Sequence, residues 1–340
     1  MEDKSIKEKR IRNITQLYYA RPDIQKAIFE FCKNREVVPR YFEGFGKRPD
    51  SLEYPGDIFE LVKRGATSFH CSEEIWKNPL EIKTGMQEPE LNSLRNGWDL
   101  LMDIDSKYID YSKIMAELII EFLNFHGVKN IGIKFSGSKG FHIIVPWKAF
   151  PREINGISIS DKFPEYPRII VKYILEKITK KLIDKVSELQ RPNKYIKDFQ
   201  APKEVVPDLV LVSSRHLFRT PYSLHEKTAL ASVVLSTEEL KNFEMKDANP
   251  FKIKIKKFTP ESEENEASEL LMQALDWHNQ EVQPETLSQD KKISKNFQPL
   301  KIKNLNKDNL PPCIKIILKG LSEGNIILKV LSGFWCLQSR

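Results

Sequence analysis

The sequence predicts an α/β chain of the α+β kind, a mixed or antiparallel sheet flanked by helices and followed by a short C-terminal extension. Three stretches predict it. Residues 98–147 read as strand, helix, strand and hairpin in succession; 167–190 carry the apolar stripe of a long amphipathic helix; 208–235 return to β character around a turn-rich segment. At 340 residues two structural units are the starting expectation. They are drawn here as a main domain over 1–250, a helix and polar linker over 251–308, and a partial or truncated C-terminal module over 309–340.

With 40% hydrophobic and 30% charged residues the composition is that of an ordinary globular protein. No apolar run approaches the roughly 20 residues of a membrane helix. The first residues, MEDKSIKEKRIRN, are charged where a secretory signal is apolar. A cytoplasmic protein is expected, with no membrane partner. The four cysteines, Cys32, Cys71, Cys313 and Cys336, form no C-x-x-C pair, which predicts unpaired, mostly buried thiols. A net charge of +7 is compatible with a polyanionic partner without establishing one.

Along the chain, Ile11, Ile14, Leu17 and Tyr18, then Ile24, Ala27, Ile28 and Phe31, give two short helices broken at Arg21-Pro22. The segment 35–58 mixes aromatic residues, arginines, glycines and prolines and reads as strand and turn. Its Arg35, Arg40, Lys47 and Arg48 fit a phosphate or template path and fit a solvated basic face equally well. His70 and Cys71 invite a metal reading, but adjacent strand side chains point to opposite faces, so one ion seldom takes both.

In NGWDLLMDID an apolar run leads into Asp103-Ile104-Asp105, and strand alternation puts both carboxylates on one face. Two like charges held that close call for a cation between them. The D-x-D pattern by itself is shared by nucleotidyltransferases, glycosyltransferases, phosphatases and plain capped turns. Residues 111–126 then have helical spacing with Gly127 as the stop, NIGIKFS alternates as a strand, and FHIIVPW resumes β character.

Between those strands lies Ser136-Gly137-Ser138-Lys139-Gly140, followed by His142. Glycines admit close backbone approach, Lys139 supplies a cation, and hydroxyls and N–H groups can hold phosphate oxygens. Taken alone, the glycines describe a hairpin turn equally well, and His142 a satisfied half-buried side chain. The long helix over 167–190 turns its lysines away from the apolar stripe, as a solvated face does. A polar linker follows; Asp198 lies in it, where an exposed carboxylate needs no ligand. In DLVLVSSRHLFRTPYSLHEKT, Asp208 precedes a β run, and Arg215, His216, Arg219, Ser223, His225 and Lys227 crowd the next turn. Such a density of cations and hydroxyls fits a triphosphate cradle, with Asp208 as a third carboxylate.

Asp103-Ile104-Asp105, SGSKGFH (136–142) and RHLFRTPYSLHEKT (215–228) together resemble the archaeo-eukaryotic primase superfamily, most closely the catalytic small subunit of archaeal primase. The resemblance covers residues 30–245 in the family's order, and Arg35-Glu36 adds an arginine-glutamate pair near its start. It implies a primase-type core with an RRM-like sheet, with the catalytic domain over 1–250. It implies two divalent ions, Mg²⁺ or Mn²⁺, held by Asp103, Asp105 and Asp208, the last one residue closer to His225 than is usual. It also implies a nucleotide site made of Ser136, Gly137, Ser138, Lys139, Gly140, His142, Arg219, Ser223, His225 and Lys227. Ser138 stands where many replicative members have arginine, as in the ligase-associated polymerases. The expected function is template-directed nucleotide transfer that makes or extends primers on single-stranded DNA, with NTP or dNTP as substrate, a large subunit as partner and a place at the nucleoid. The competing reading is a non-catalytic module that binds single-stranded nucleic acid on the same sheet; a metal-dependent nuclease or glycosyltransferase leaves the SLHEKT turn unexplained.

Two departures from the family stand out. The zinc knob common in archaeal small subunits has no Cys/His cluster to build it here. NLPPCIKIILKGLSEGN faintly resembles the opening of the large subunit's iron–sulfur domain, but that cluster takes four cysteines and only Cys313 and Cys336 lie in this region. Neither zinc nor an iron–sulfur cluster is expected.

Overall fold

Proline punctuation sets the first two elements of the computed structural model, which describes residues 4–42, 44–106, 108–190 and 213–282. Helix α1 (Lys4–Tyr19) ends where Pro22 opens α2 (Pro22–Cys32). Arg21 is extended, at φ −72° and ψ 121°, because the proline ring excludes the helical region for the residue before it. Residues Ile24, Ile28 and Cys32, spaced by four, face inward from α2. The chain divides into Met1–Pro284 and Glu285–Arg340; the second unit, with Cys313 and Cys336, lies outside the described residues.

Strand β1 (Val37–Arg40), helix α3 (Asp57–Lys63), strands β2 (Ser68–Ser72) and β3 (Glu74–Trp76), helix α4 (Glu88–Leu94) and strands β4 (Arg95–Trp98) and β5 (Leu100–Ile104) come next. Then follow α5 (Ile109–Phe125), β6 (Gly132–Phe135), β7 (Phe141–Val145), the short β8 (Glu153–Ile154) and β9 (Ile157–Ser158), and α6 (Glu165–Gln190). Beyond 212 come β10 (Leu217–Arg219), β11 (Val234–Leu235), α7 (Thr237–Asn242) and α8 (Ser268–Val282).

The strand, helix, strand and hairpin expected over 98–147 are β5, α5, β6 and β7. They form a four-stranded sheet in the order β11-β6-β7-β5, and each neighbouring pair is antiparallel. Since β7 pairs antiparallel with both β5 and β6, those two run parallel with β7 between them, a split β-α-β unit closed by α5. One face of this sheet carries Leu100, Met102, Ile104, Ile133, Phe135, Phe141 and Ile143, all buried. Helices α5 and α6 pack on the sheet and on each other, and α8 packs on α6. Buried residues of α6 include Ile170, Ile174, Ile178, Leu182 and Val186, the stripe the 3.6-residue period requires. The same apolar cluster continues through Ile253, Phe258, Leu270, Leu271 and Ala274.

A second sheet, in the order β1-β2-β10, is also antiparallel. Adjacent residues on β2 part company as strand geometry demands. Cys71 is buried in the core with Cys32, and His70 stands opposite Arg219 of β10. Arg35, a candidate for a phosphate or template path, is instead internal. It pairs with buried Asp99 and donates to the carbonyls of Phe31, Ser72 and Glu73 at 3.0–3.1 Å, so four of its five N–H groups are engaged within the fold. Glu36 holds Arg48 and Arg215 at 2.8 and 2.7 Å.

Candidate active site

The second face of the four-stranded sheet carries charge. Asp103 on β5 stands opposite His142 on β7, and His142 stands opposite Lys134 on β6, so the three side chains form a row across the middle strands. His142 Nε2 lies 3.2 Å from Asp103 Oδ1. Burial and the Lys134 charge push His142 down, so near neutral pH the ring is uncharged and its Nε2–H donates to the carboxylate. That leaves Nδ1 a bare acceptor, buried and without a partner. Burial would raise Asp103, but His142 and then Lys134 bring it below the usual carboxylate range.

Lys134 is fully buried. Its Nζ donates to Ser232 Oγ at 2.9 Å, whose hydroxyl donates to the Phe135 carbonyl at 2.6 Å. The ammonium lies over the Phe218 and Phe258 rings, at 5.7 and 5.6 Å. Burial, with the charge of Arg219 added to it, holds this lysine well below the ordinary range. Sequence reasoning missed Lys134: in Ile131-Gly132-Ile133-Lys134-Phe135 it is the polar member of an alternating strand, which normally faces water.

Asp105 follows the end of β5 and is exposed. Burial and then the neighbouring Asp103 charge raise its carboxyl, against the Ser106 N–H and Lys139. A carboxylate pair in which the Asp103 charge opposes ionisation of Asp105, built from hard oxygen donors, fits a divalent cation such as Mg²⁺ or Mn²⁺. Asp208, the expected third ligand, lies outside the described residues. Among the described residues no three His, Cys, Asp or Glu side chains converge as a metal site.

The Ser/Gly/Lys loop is clamped against both this pair and the SLHEKT turn. Ser136 N–H donates to the Gly140 carbonyl at 2.9 Å, and Gly140 N–H returns a bond to Ser136 Oγ at 3.2 Å, so the Ser136 hydroxyl closes the loop. A Cβ at Gly140 would overlap the Ile104 carbonyl oxygen and stand 3.3 Å from Asp105 Cα. Gly137, at φ +103°, leaves room for only 2.8 Å between such a Cβ and His225 Cβ. Thr228 Oγ1 donates to the Gly137 carbonyl at 2.8 Å. Ser138 is half-buried and Lys139 exposed.

In the turn, Arg219 donates to the Leu224 carbonyl and to Glu226 Oε2, both at 2.7 Å. Burial, then the Arg219 charge, pushes His225 down to about 4. Its Nδ1 accepts the Lys227 N–H at 3.2 Å, so the neutral ring carries its proton on Nε2, a donor of the kind a phosphate oxygen takes. Lys227 is exposed. The Ser223 hydroxyl is committed to structure: it accepts the Phe69 N–H at 2.8 Å. Phe218, from the same segment, sets its ring edge-on to His142 at 5.8 Å and ties the turn to the Asp103 row. His216, a further neighbour, bonds Glu73 Oε1 through Nδ1 at 3.1 Å. Burial opposes its charge, but the Glu73 bond and the fields of Glu73 and Asp103 raise it.

An α/β body thus carries an aspartate pair, a glycine-lysine loop and an arginine-histidine turn on neighbouring elements. Residues 100–237 match the family model of the DNA primase small subunit. The DNA primase small subunit of Pyrobaculum aerophilum is 29% identical over 235 residues, covering 61% of this chain and 72% of that protein. An uncharacterised protein of Methanocaldococcus jannaschii is 30% identical over 156 residues, 46% of this chain and 33% of that protein. The chain thus spans about a third of the length of that relative. The polymerase domain of Mycobacterium tuberculosis ligase D, solved in complex with DNA, is similar over 78% of this chain and 88% of that one, at 13% identity and a TM-score of 0.43. Over residues 100–237 the chain is thus similar to the DNA primase small subunit.

Proposed function

We propose that the chain is a template-directed nucleotidyltransferase that synthesises or extends primers on single-stranded DNA. One observation carries the reading. The 136–140 loop lies against the Ile104–Asp105 strand end at Gly140 and against the His225 turn at Gly137, which supports reading the carboxylates and phosphate-directed donors of the three motifs as one site.

Asp103 and Asp105, with Asp208, would hold two Mg²⁺ or Mn²⁺ ions, which supply charge neutralisation and a more acidic 3′-hydroxyl when bound. Asp103 is kept ionised and oriented by the His142 Nε2–H. Lys139, Arg219, Lys227 and the His225 Nε2–H are the donors for the triphosphate of an NTP or dNTP. Ser136, Gly137, Ser138 and Gly140 shape the loop that carries Lys139, and Ser223 fixes the turn that carries His225. Catalysis of this kind rests on positioning and charge stabilisation rather than on a protein nucleophile. A primase large subunit is a further partner of this reading.

The test is nucleotide incorporation by the full chain on single-stranded template, with Mg²⁺ or Mn²⁺ and labelled ATP or dATP, with and without a primer. Asp105→Ala is expected to abolish incorporation with the fold retained. Wild-type rates in that variant would sink the proposal. Template binding without any incorporation by the wild-type chain would favour a non-catalytic nucleic-acid-binding module.

A further inference from the structure

The face of the β1-β2-β10 sheet next to the His225 turn holds an anion-binding arrangement that none of the three motifs announces. Arg40 stands opposite Ser68 and His70 opposite Arg219, so alternation puts all four side chains on one face. Arg40 lies over the Phe45 ring at 4.9 Å, and Phe45 meets the His70 ring edge-on at 5.0 Å. Four polar atoms of these strands are buried without a partner: Arg40 Nε, Ser68 Oγ, His70 Nδ1 and, one residue past β10, Thr220 Oγ1. Thr220, next to Arg219, turns to the opposite face, but Arg40 Nε, Ser68 Oγ and His70 Nδ1 share one face, and unmet buried donors and acceptors are costly, so these three describe a place built to receive something polar.

The side chain that occupies this place is Glu226, the residue between His225 and Lys227. Its Oε2 accepts from Arg219 Nη2 at 2.7 Å, and its Oε1 lies 3.7 Å from Arg40 Nε. At that distance Arg40 feels the charge but makes no hydrogen bond, which is why its Nε–H remains orphaned. Among the described residues Glu226 is the only acidic side chain paired with either arginine. The carboxylate is largely shielded from water, with 13% of the side chain exposed, and its surroundings favour ionisation. Burial works against the charge, but the Arg219 charge, a backbone N–H, the field of His225 and the Arg219 hydrogen bond together outweigh it and bring Glu226 down to about 2.

We propose that Glu226 is a resident counter-ion, seated where a nucleotide's phosphates bind, and that it must swing out before a triphosphate enters and takes over Arg219 together with Arg40. The proposal rests on the reading of Arg219 and His225 as phosphate ligands. It adds Arg40 to that set, with His70 beside it, and makes Glu226 the residue that sets nucleotide affinity. A carboxylate in the cradle holds two arginines in place while the site is empty, and it imposes on every incoming polyphosphate the loss of an ion pair already made.

Equilibrium binding of ATP, dATP and inorganic tripolyphosphate to the full chain tests it. Glu226→Gln keeps the shape and removes the charge; it is expected to tighten all three by about five- to tenfold, the effect of one partly screened charge at contact range. Glu226→Ser, a second way to empty the cradle should the glutamine variant fold poorly by thermal melting, is expected to give the same gain. Arg40→Gln in the Glu226→Gln background is expected to cancel most of it. Unchanged or weaker binding by both Glu226 variants, while Arg219→Lys weakens binding, overturns the counter-ion and leaves the phosphate site standing. A gain for ATP but not for tripolyphosphate overturns it as well. Arg219→Lys without effect on any probe refutes instead the reading of this turn as a phosphate site.

Discussion

Gly140 has no room for a side chain. A Cβ there would sit inside the 3.0 Å that real Cβ atoms keep from other heavy atoms, against the Ile104 carbonyl oxygen, and 3.3 Å from Asp105 Cα. Both neighbours are backbone, so no rotamer change relieves the overlap, and in Gly140→Ala the loop and the β5 strand end must move apart by about 1 Å. Overpacking of this kind costs about 1–3 kcal/mol, here near the upper end because a carbonyl must yield. In a unit of this size that corresponds to a fall in Tm of roughly 4–12 °C. The larger effect falls on chemistry. The displaced element carries Asp105 on one side and Lys139 on the other, and a misplacement of about 1 Å typically lowers a rate by about 10²-fold. Thermal melting by circular dichroism and single-turnover extension of a primed template measure the two effects separately. A Gly140→Ala protein with wild-type Tm and wild-type extension rate would refute both the packing argument and the placement of this loop at the reacting groups.

Two further outcomes follow from the buried charges. Burial pushes the Lys134 ammonium well below its ordinary range, so between its folded and unfolded pKa values the unfolded chain binds the extra proton. Stability is therefore expected to rise as the pH is raised through that window toward the unfolded value, by up to about 1.4 kcal/mol per pH unit. Lys134→Met should remove that component of the slope in urea titrations at stepped pH, and a slope unchanged in the variant would contradict it. Arg35→Met strands the buried Asp99 carboxylate, whose partners are Arg35 and the Trp147 N–H. A loss of about 3–5 kcal/mol is expected by chemical denaturation, with a smaller loss when Asp99→Leu is added. If Arg35 acted on template instead, Arg35→Met would weaken DNA binding and leave the denaturation midpoint where it was.

Local sequence was enough for the elements and for the content of each motif. The helix break at Pro22, the stop at Gly127 and the stripe of α6 follow from ring sterics, left-handed backbone and the 3.6-residue period, all of which act within a few residues. The placing of Asp103 at a strand end, the glycine-lysine loop and the order of residues in the SLHEKT turn were legible for the same reason. Their joint order was also enough to point to the DNA primase small subunit, to which the chain is similar.

What the tertiary structure decided is which of these residues meet. Alternation tells which face of its own strand a side chain takes, but not which strand lies alongside or at what register. Register is a long-range choice, made by the pairing of β5 and β6 with β7. Only that choice puts His142 between Asp103 and Lys134 and turns a lysine that should face water into a buried cation. The same kind of choice makes Arg35 a partner of Asp99 rather than of a phosphate, sets His70 across from Arg219, and closes Glu226 onto two arginines. Most of these contacts join residues far apart in sequence, and their energies come from exclusion of water, which no local pattern reveals.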